Sequence, residues 1–184
     1  MLRQILMVAV FGLGALGAPG SAWALKVGVV DVQKAMRGTD HWTQARDFLE
    51  AQKKRVETAI DAKQAELEKR RAELDAKRAV STAAATRQED AAWYQEAQLL
   101  SREMVGAQQQ LTQLEQRLTQ ELLVRMTSVV REIALGADFD FVIDSGPEED
   151  ANIIYFVNET DLTQRVVKLY QERFKDQPLQ LPRT

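Results

Sequence analysis

Two kinds of hydrophobic spacing divide the chain. "LKVGVVDV" (25–32) is a short valine-rich run ending near an aspartate, which predicts a buried strand. "QKAMRG" (33–38) then reads as one or two helical turns stopped by Gly38. From Asp40, the expected N-cap of the next helix, the spacing changes. Trp42, Leu49 and Val56, then Ile60, Leu67 and Leu74, recur every seven residues. The positions that should complete this seam hold Lys53, Lys63, Arg70 and Lys77, so the first arm offers one large apolar residue per heptad where a full coiled-coil seam has two. The second arm is richer. Trp93, Ala97, Leu100, Met104, Ala107, Leu111, Leu114 and Leu118 alternate steps of four and three, and Leu122, Met126, Val129 and Ile133 extend them. A repeated step of four among the last group is a stutter, which unwinds a supercoil locally.

No glycine or proline occurs between Thr39 and Val105, so any reversal must be found from subtler signals. Lys77 and Arg78 suit a helix C-terminus, whereas Thr86-Arg-Gln-Glu89 is a capping box followed by Asp90. An unbroken helix needs neither. Residues 53–87 hold 10 basic and 6 acidic side chains, and residues 89–132 hold 4 and 7, so antiparallel arms would attract. These features predict a hairpin with its tip near 81–85. Its arms, 42–80 and 86–135, would span about 58 and about 75 Å. The longer return arm overshoots, so its end belongs in a base.

Gly136 closes that helix. "FDFVID" (139–144) predicts a strand with Phe139, Phe141 and Ile143 on one face and Val142 on the other. "NIIYFV" (152–157) predicts another strand, and Asp161 with Gln164 caps a final helix over 162–174. The fold class is therefore α+β, mostly α: a long antiparallel helical hairpin (42–132) inserted into a small β-body built from both ends of the chain (25–41 and 133–184). So small a sheet is marginal alone, and self-association is the natural remedy.

Composition narrows the function. Residues 1–24 carry Arg3, the apolar run "ILMVAVFGLGALG" and "AWA", the pattern of a cleavable secretory signal. "GLGALG" (12–17) fits the dinucleotide-binding pattern by letter, but it lies in this leader rather than between a strand and a helix. There is no cysteine, so packing must replace disulfides after export. The chain carries a net charge of −3, and residues 42–135 balance 15 basic against 15 acidic side chains. That excludes a generic nucleic-acid binder and speaks against electrostatic attachment to anionic lipid.

Little here supports catalysis. His41 is the only histidine, which leaves no parts for a histidine triad or a zinc site. Glu148, Glu149 and Asp150 lack the spacing of a calcium loop, and Asp31, Asp140 and Asp144 near strand ends are a remote carboxylate-pair possibility. No cofactor is expected. The basic residues Lys69, Arg70, Arg71, Arg78 and Arg87, with Trp93, Tyr94 and Met104, are the candidates for contact with a bound chain. Trp93 and Met104 are in phase with the seam, so packing within the hairpin, Trp93 against Leu74 or Val80, is the simpler expectation for both.

"LKVGVVDVQKAMRGTDHWTQARDFLE" (25–50) and "ADFDFVIDSG…NIIYFVNETDLTQRVVKLYQ" (137–171) resemble the opening and close of the OmpH/Skp family of periplasmic chaperones. The middle matches only as a charged helical hairpin. The resemblance implies a homotrimer whose strands share a β-body, with Val27, Val29, Val130, Ile133, Phe141, Ile143, Ile154 and Phe156 as oligomerisation candidates. It implies that three arms surround a cavity for unfolded outer-membrane proteins, held without ATP. The neutral arms depart from the basic balance of the best-known members. A periplasmic structural or adaptor coiled coil binding a folded envelope partner is the alternative.

Overall fold

The structure, a computed structural model, describes residues 25–78, 83–146 and 160–182. The elements in chain order are β1 (Val27–Val30), α1 (Val32–Arg37), α2 (Asp40–Arg78), α3 (Ala83–Gly136), β2 (Phe141–Asp144) and α4 (Thr163–Phe174). The leader, the expected strand at 152–157 and the residues between Arg78 and Ala83 lie outside the described residues.

α2 and α3 form an antiparallel hairpin. Their 39 and 54 residues correspond to about 58 and 81 Å. Ion pairs fix the direction. Lys63 meets Glu103 at 2.5 Å, Arg70 meets Glu96, Lys77 meets Glu89 at 3.5 Å, and Arg78 meets Asp90 at 2.6 Å. From Lys63 through Arg70 to Lys77, the partners on α3 thus fall in number as those on α2 rise. The thin seam has a visible consequence: Val56, Ile60 and Leu67 stay half-buried, and Leu74 is the one large apolar residue of α2 among the described residues that is fully buried.

Both expected caps move toward the N-terminus. Thr39 caps α2: its Oγ1 accepts from the Trp42 N–H at 3.2 Å, and its carbonyl accepts from Thr43. Asp40 therefore sits in the first turn, where its charge favours the helix dipole. α3 begins at Ala83, so the Thr86–Glu89 box does not start it. Three alanines, Ala83–Ala85, precede Thr86, and alanine's propensity lets the helix begin earlier than the box predicts.

At the base, β1 and β2 pair in parallel, Val27 with Phe141 through Val30 with Asp144. On the other side of β1, Val29 bridges to Asp161. Asp31 caps α1 by accepting from the Lys34 N–H at 2.7 Å, and Asp161 accepts from the Thr163 N–H at 2.8 Å as α4 begins. β2 is shorter than 139–144, which breaks the expected alternation. Phe139 precedes the strand and packs on the core, and Val142 faces in, whereas Phe141 and Ile143 are exposed. Gly28 sits in a crowded spot: a Cβ there would meet Leu162 Cδ1 at 2.7 Å, so the buried Leu162 side chain would have to shift.

The core is more helical than strand-based. Leu118, Leu122, Met126, Val129 and Ile133 of α3 pack with Val166, Tyr170 and Phe174 of α4, with Ala35, Met36 and Ala45, and with Val30. It reaches up α3 as far as Leu118, well beyond residue 133, the expected end of the base. The stutter lies within this stretch, where α3 stops pairing with α2 alone and packs among several elements.

Candidate functional site

The candidate contact residues separate into tied and free groups. Arg70, Arg71 and Arg78 engage Glu96, Asp75 and Asp90. They act first as clasps between the arms. Among the described residues Lys69 and Arg87 are exposed and carry no ion pair. Trp93 meets α2 across the hairpin; Val80, one of its two expected partners, lies outside the described residues. Its Nε1 donates to the Leu67 carbonyl at 2.9 Å, and the Arg71 guanidinium lies 5.0 Å from its ring centroid. Tyr94, edge-on to Trp93 at 5.2 Å, is exposed. Met104 is also exposed despite its seam position; Gln64 Nε2 lies 3.7 Å from its sulfur.

Exposure reveals a second stripe that the seam analysis missed. Tyr94, Gln98, Ser101, Val105, Thr112, Gln116, Thr119 and Leu123 are all exposed on one flank of α3, at steps of four, three or seven. None is charged, on a chain in which 28% of residues are charged. The signal was present in the sequence: Val105 and Leu123 are aliphatic and out of phase with the buried seam.

Toward the base the arms part. A cleft of about 560 Å³ opens between them, with Trp42, Leu49, Leu111, Leu118 and Leu122 on its walls and Arg46, Glu50, Lys53 and Glu115 around it. Its volume falls in the range of small-ligand sites. Its charges are mixed, so it selects no single sign of partner.

Beside this cleft lies a buried polar cluster that sequence reasoning did not find. His41 Nδ1 is 3.0 Å from the Tyr170 hydroxyl, and the Arg125 cation acts on both rings. Burial, assisted by the Arg125 cation, pushes the His41 pKa below its ordinary 6.5. Burial also pushes the Tyr170 phenol up to about 12. These residues are joined only by contacts across more than forty positions of sequence, which no local pattern carries. Among the described residues no group of acids and histidines could hold a metal ion, and no helix is long and apolar enough to cross a membrane.

The oligomerisation candidates also divide. Val29 and Ile133 are buried inside the protomer, at 5% and 2% exposure, and so have no surface to offer a second copy. Val27 and Val130 are half-buried; Phe141 and Ile143 are 57% and 46% exposed. Ile154 and Phe156 lie outside the described residues.

The sequence from residue 26 to residue 170 matches the family of OmpH-like outer membrane proteins. The chain belongs to that family. A crystal structure of a candidate OmpH-like outer membrane chaperone from Caulobacter crescentus CB15 superposes with a TM-score of 0.77 at 17% identity, covering 87% of this chain and 90% of that one. The long hairpin on a small base, with two paired strands among the described residues, is thus the OmpH-like fold. No curated protein matches the sequence. The OmpH-like match ends at Tyr170, within α4.

Proposed function

We propose that this OmpH-like chain is an exported, ATP-independent holdase that keeps unfolded outer-membrane proteins from aggregating in the periplasm. The observation that carries this reading is the exposed, uncharged stripe along α3. A chain destined for a β-barrel alternates apolar and polar residues and must be held without being bound tightly at any one segment. A stripe of Tyr, Val and Leu separated by Gln, Ser and Thr offers weak apolar contacts and hydrogen bonds along the arm. Its apolar residues are scattered rather than contiguous, which limits self-association.

Several arms acting together would turn weak contacts into avidity through effective concentration. Phe141 and Ile143, exposed on a short strand of the base, supply an apolar surface for joining copies into a homotrimer. The arms then line a shared cavity, with Lys69, Arg87, Tyr94 and Met104 reachable from solvent. The balanced charge of the arms makes contact with anionic lipid secondary.

The test is suppression of aggregation when a urea-unfolded β-barrel protein is diluted into buffer with the purified mature chain. Suppression near one trimer per client is expected, with molar mass by light scattering equal to three chains. Changing Val105 and Leu123 together to glutamate should weaken suppression about tenfold or more while leaving mass and helicity unchanged. No suppression, together with a stable complex with one folded envelope protein, would instead mark the chain as a structural adaptor.

A further inference from the structure

The tail beyond α4 makes contacts that client holding by the arms does not use, and it lies past residue 170, where the sequence match to the family ends. From Pro178 to Leu181 its backbone is neither helix nor strand, yet it is gripped. Arg125 donates from Nη1 to the Gln177 carbonyl at 2.7 Å and from Nη2 to the Pro178 carbonyl at 3.1 Å. The Gln180 N–H approaches Glu121 Oε1 at 3.4 Å. Arg125 and Glu121 pair with each other at 2.6 Å, one turn apart on α3, with side chains only 15% and 22% exposed. Between these contacts Leu179 enters the base core, 6% exposed, in the cluster that includes Leu118, Leu122 and Phe174.

Two carbonyls, one amide and one aliphatic side chain are what this groove reads. Backbone groups occur in every peptide, so recognition asks only for an extended segment with a leucine-like residue at its centre. We propose that the Arg125–Glu121 groove is a binding site for an extended apolar peptide segment, occupied here by the chain's own tail as an internal stand-in. The reading rests on the holdase function for the source of that segment, an unfolded client. Continuity supports it: Leu118 and Leu122, which share the core with Leu179, also wall the cleft between the arms. A client segment that displaces the tail would meet residues that belong to both the core and the cleft. The tail thus competes with clients at the root of the arm.

A labelled synthetic peptide, Gln-Pro-Leu-Gln-Leu-Pro (residues 177–182), tests the site by fluorescence anisotropy. The chain ending at Asp176 should bind it, and the full chain should bind it about tenfold more weakly, because a tethered tail acts at millimolar effective concentration. The full chain carrying Leu179→Ser should recover part of the binding, and it decides the matter if the truncated chain loses its helical circular dichroism. Equal binding by full, substituted and truncated chains, or binding by none, overturns the proposal. Peptide binding without suppression of barrel aggregation would retain the groove and remove the holdase reading; suppression without the difference in peptide binding would do the reverse.

Discussion

His41 shows how one buried side chain sets a pH limit. Its imidazole faces Tyr170 from α4, Arg125 and Glu121 from α3, and Asp40 beside it. The nearest cation opposes protonation, and burial does so more strongly. The native pKa therefore lies below the unfolded value of 6.5, so the unfolded chain takes up a proton first as pH falls. Stability is fully present above 6.5, declines below it, and levels off beneath the native pKa. The urea midpoint should fall between pH 7.5 and 5.5, and the fall should be smaller in His41→Gln, which retains a polar partner for Tyr170. An equal fall in both proteins would show that carboxylates alone are responsible. This role was not legible in sequence, where a solitary histidine says only which metal sites and triads are absent. Thr39 and Asp40 carry a related lesson. Both are good capping residues, adjacent in sequence, and Gly38 ending α1 decides which one stands at the boundary.

At the scale of elements, the end signals at Lys77–Arg78 and Thr86–Glu89 revealed the hairpin, whereas the heptads record burial along a single direction. They located the seam from Trp42 to Leu74 and from Trp93 to Leu118, and the charge asymmetry anticipated the clasps between arms. They could not separate a seam position that is sealed from one left open. Met104 is open although Val56 and Ile60 of α2 share a hollow with it, and Gln64 lies against its sulfur. The arms and base should therefore respond differently to substitution. Lys63→Ala, which removes an ion pair between half-exposed side chains, should cost about 0.2–1 kcal/mol and less at high salt. Met126→Ala, at 0% exposure in the base core, should cost about 2–5 kcal/mol with little salt dependence. Urea denaturation at low and high salt would measure both, and comparable costs would mean that the arms, not the base, limit stability.

For the whole molecule, the base is where the sequence said least. Valine-rich runs suggested strands, but the weight of the core falls on α3 and α4, and alternation in β2 misassigned Phe139. What remains exposed there is informative. Phe141 and Ile143 lie next to each other on one side of β2 with Val142 turned inward, the arrangement of a strand covered on one face only. In the proposed homotrimer, Phe141→Asp should leave the hairpin's helical signal intact while lowering the molar mass from three chains to one. A trimeric mass in that variant would assign the assembly to another surface.

The parallel pairing of β1 with β2 sets the order in which the molecule is built. Val30 and Asp144 are neighbours in the sheet although more than a hundred residues of chain separate them. Closing a loop of that size in a disordered chain is slow and entropically costly. Once α2 and α3 have zipped together, the same two strands are delivered to each other by a stiff lever, and little freedom is left to lose. A polypeptide emerging from its N-terminus must therefore leave β1 waiting for β2 until nearly the entire arm exists.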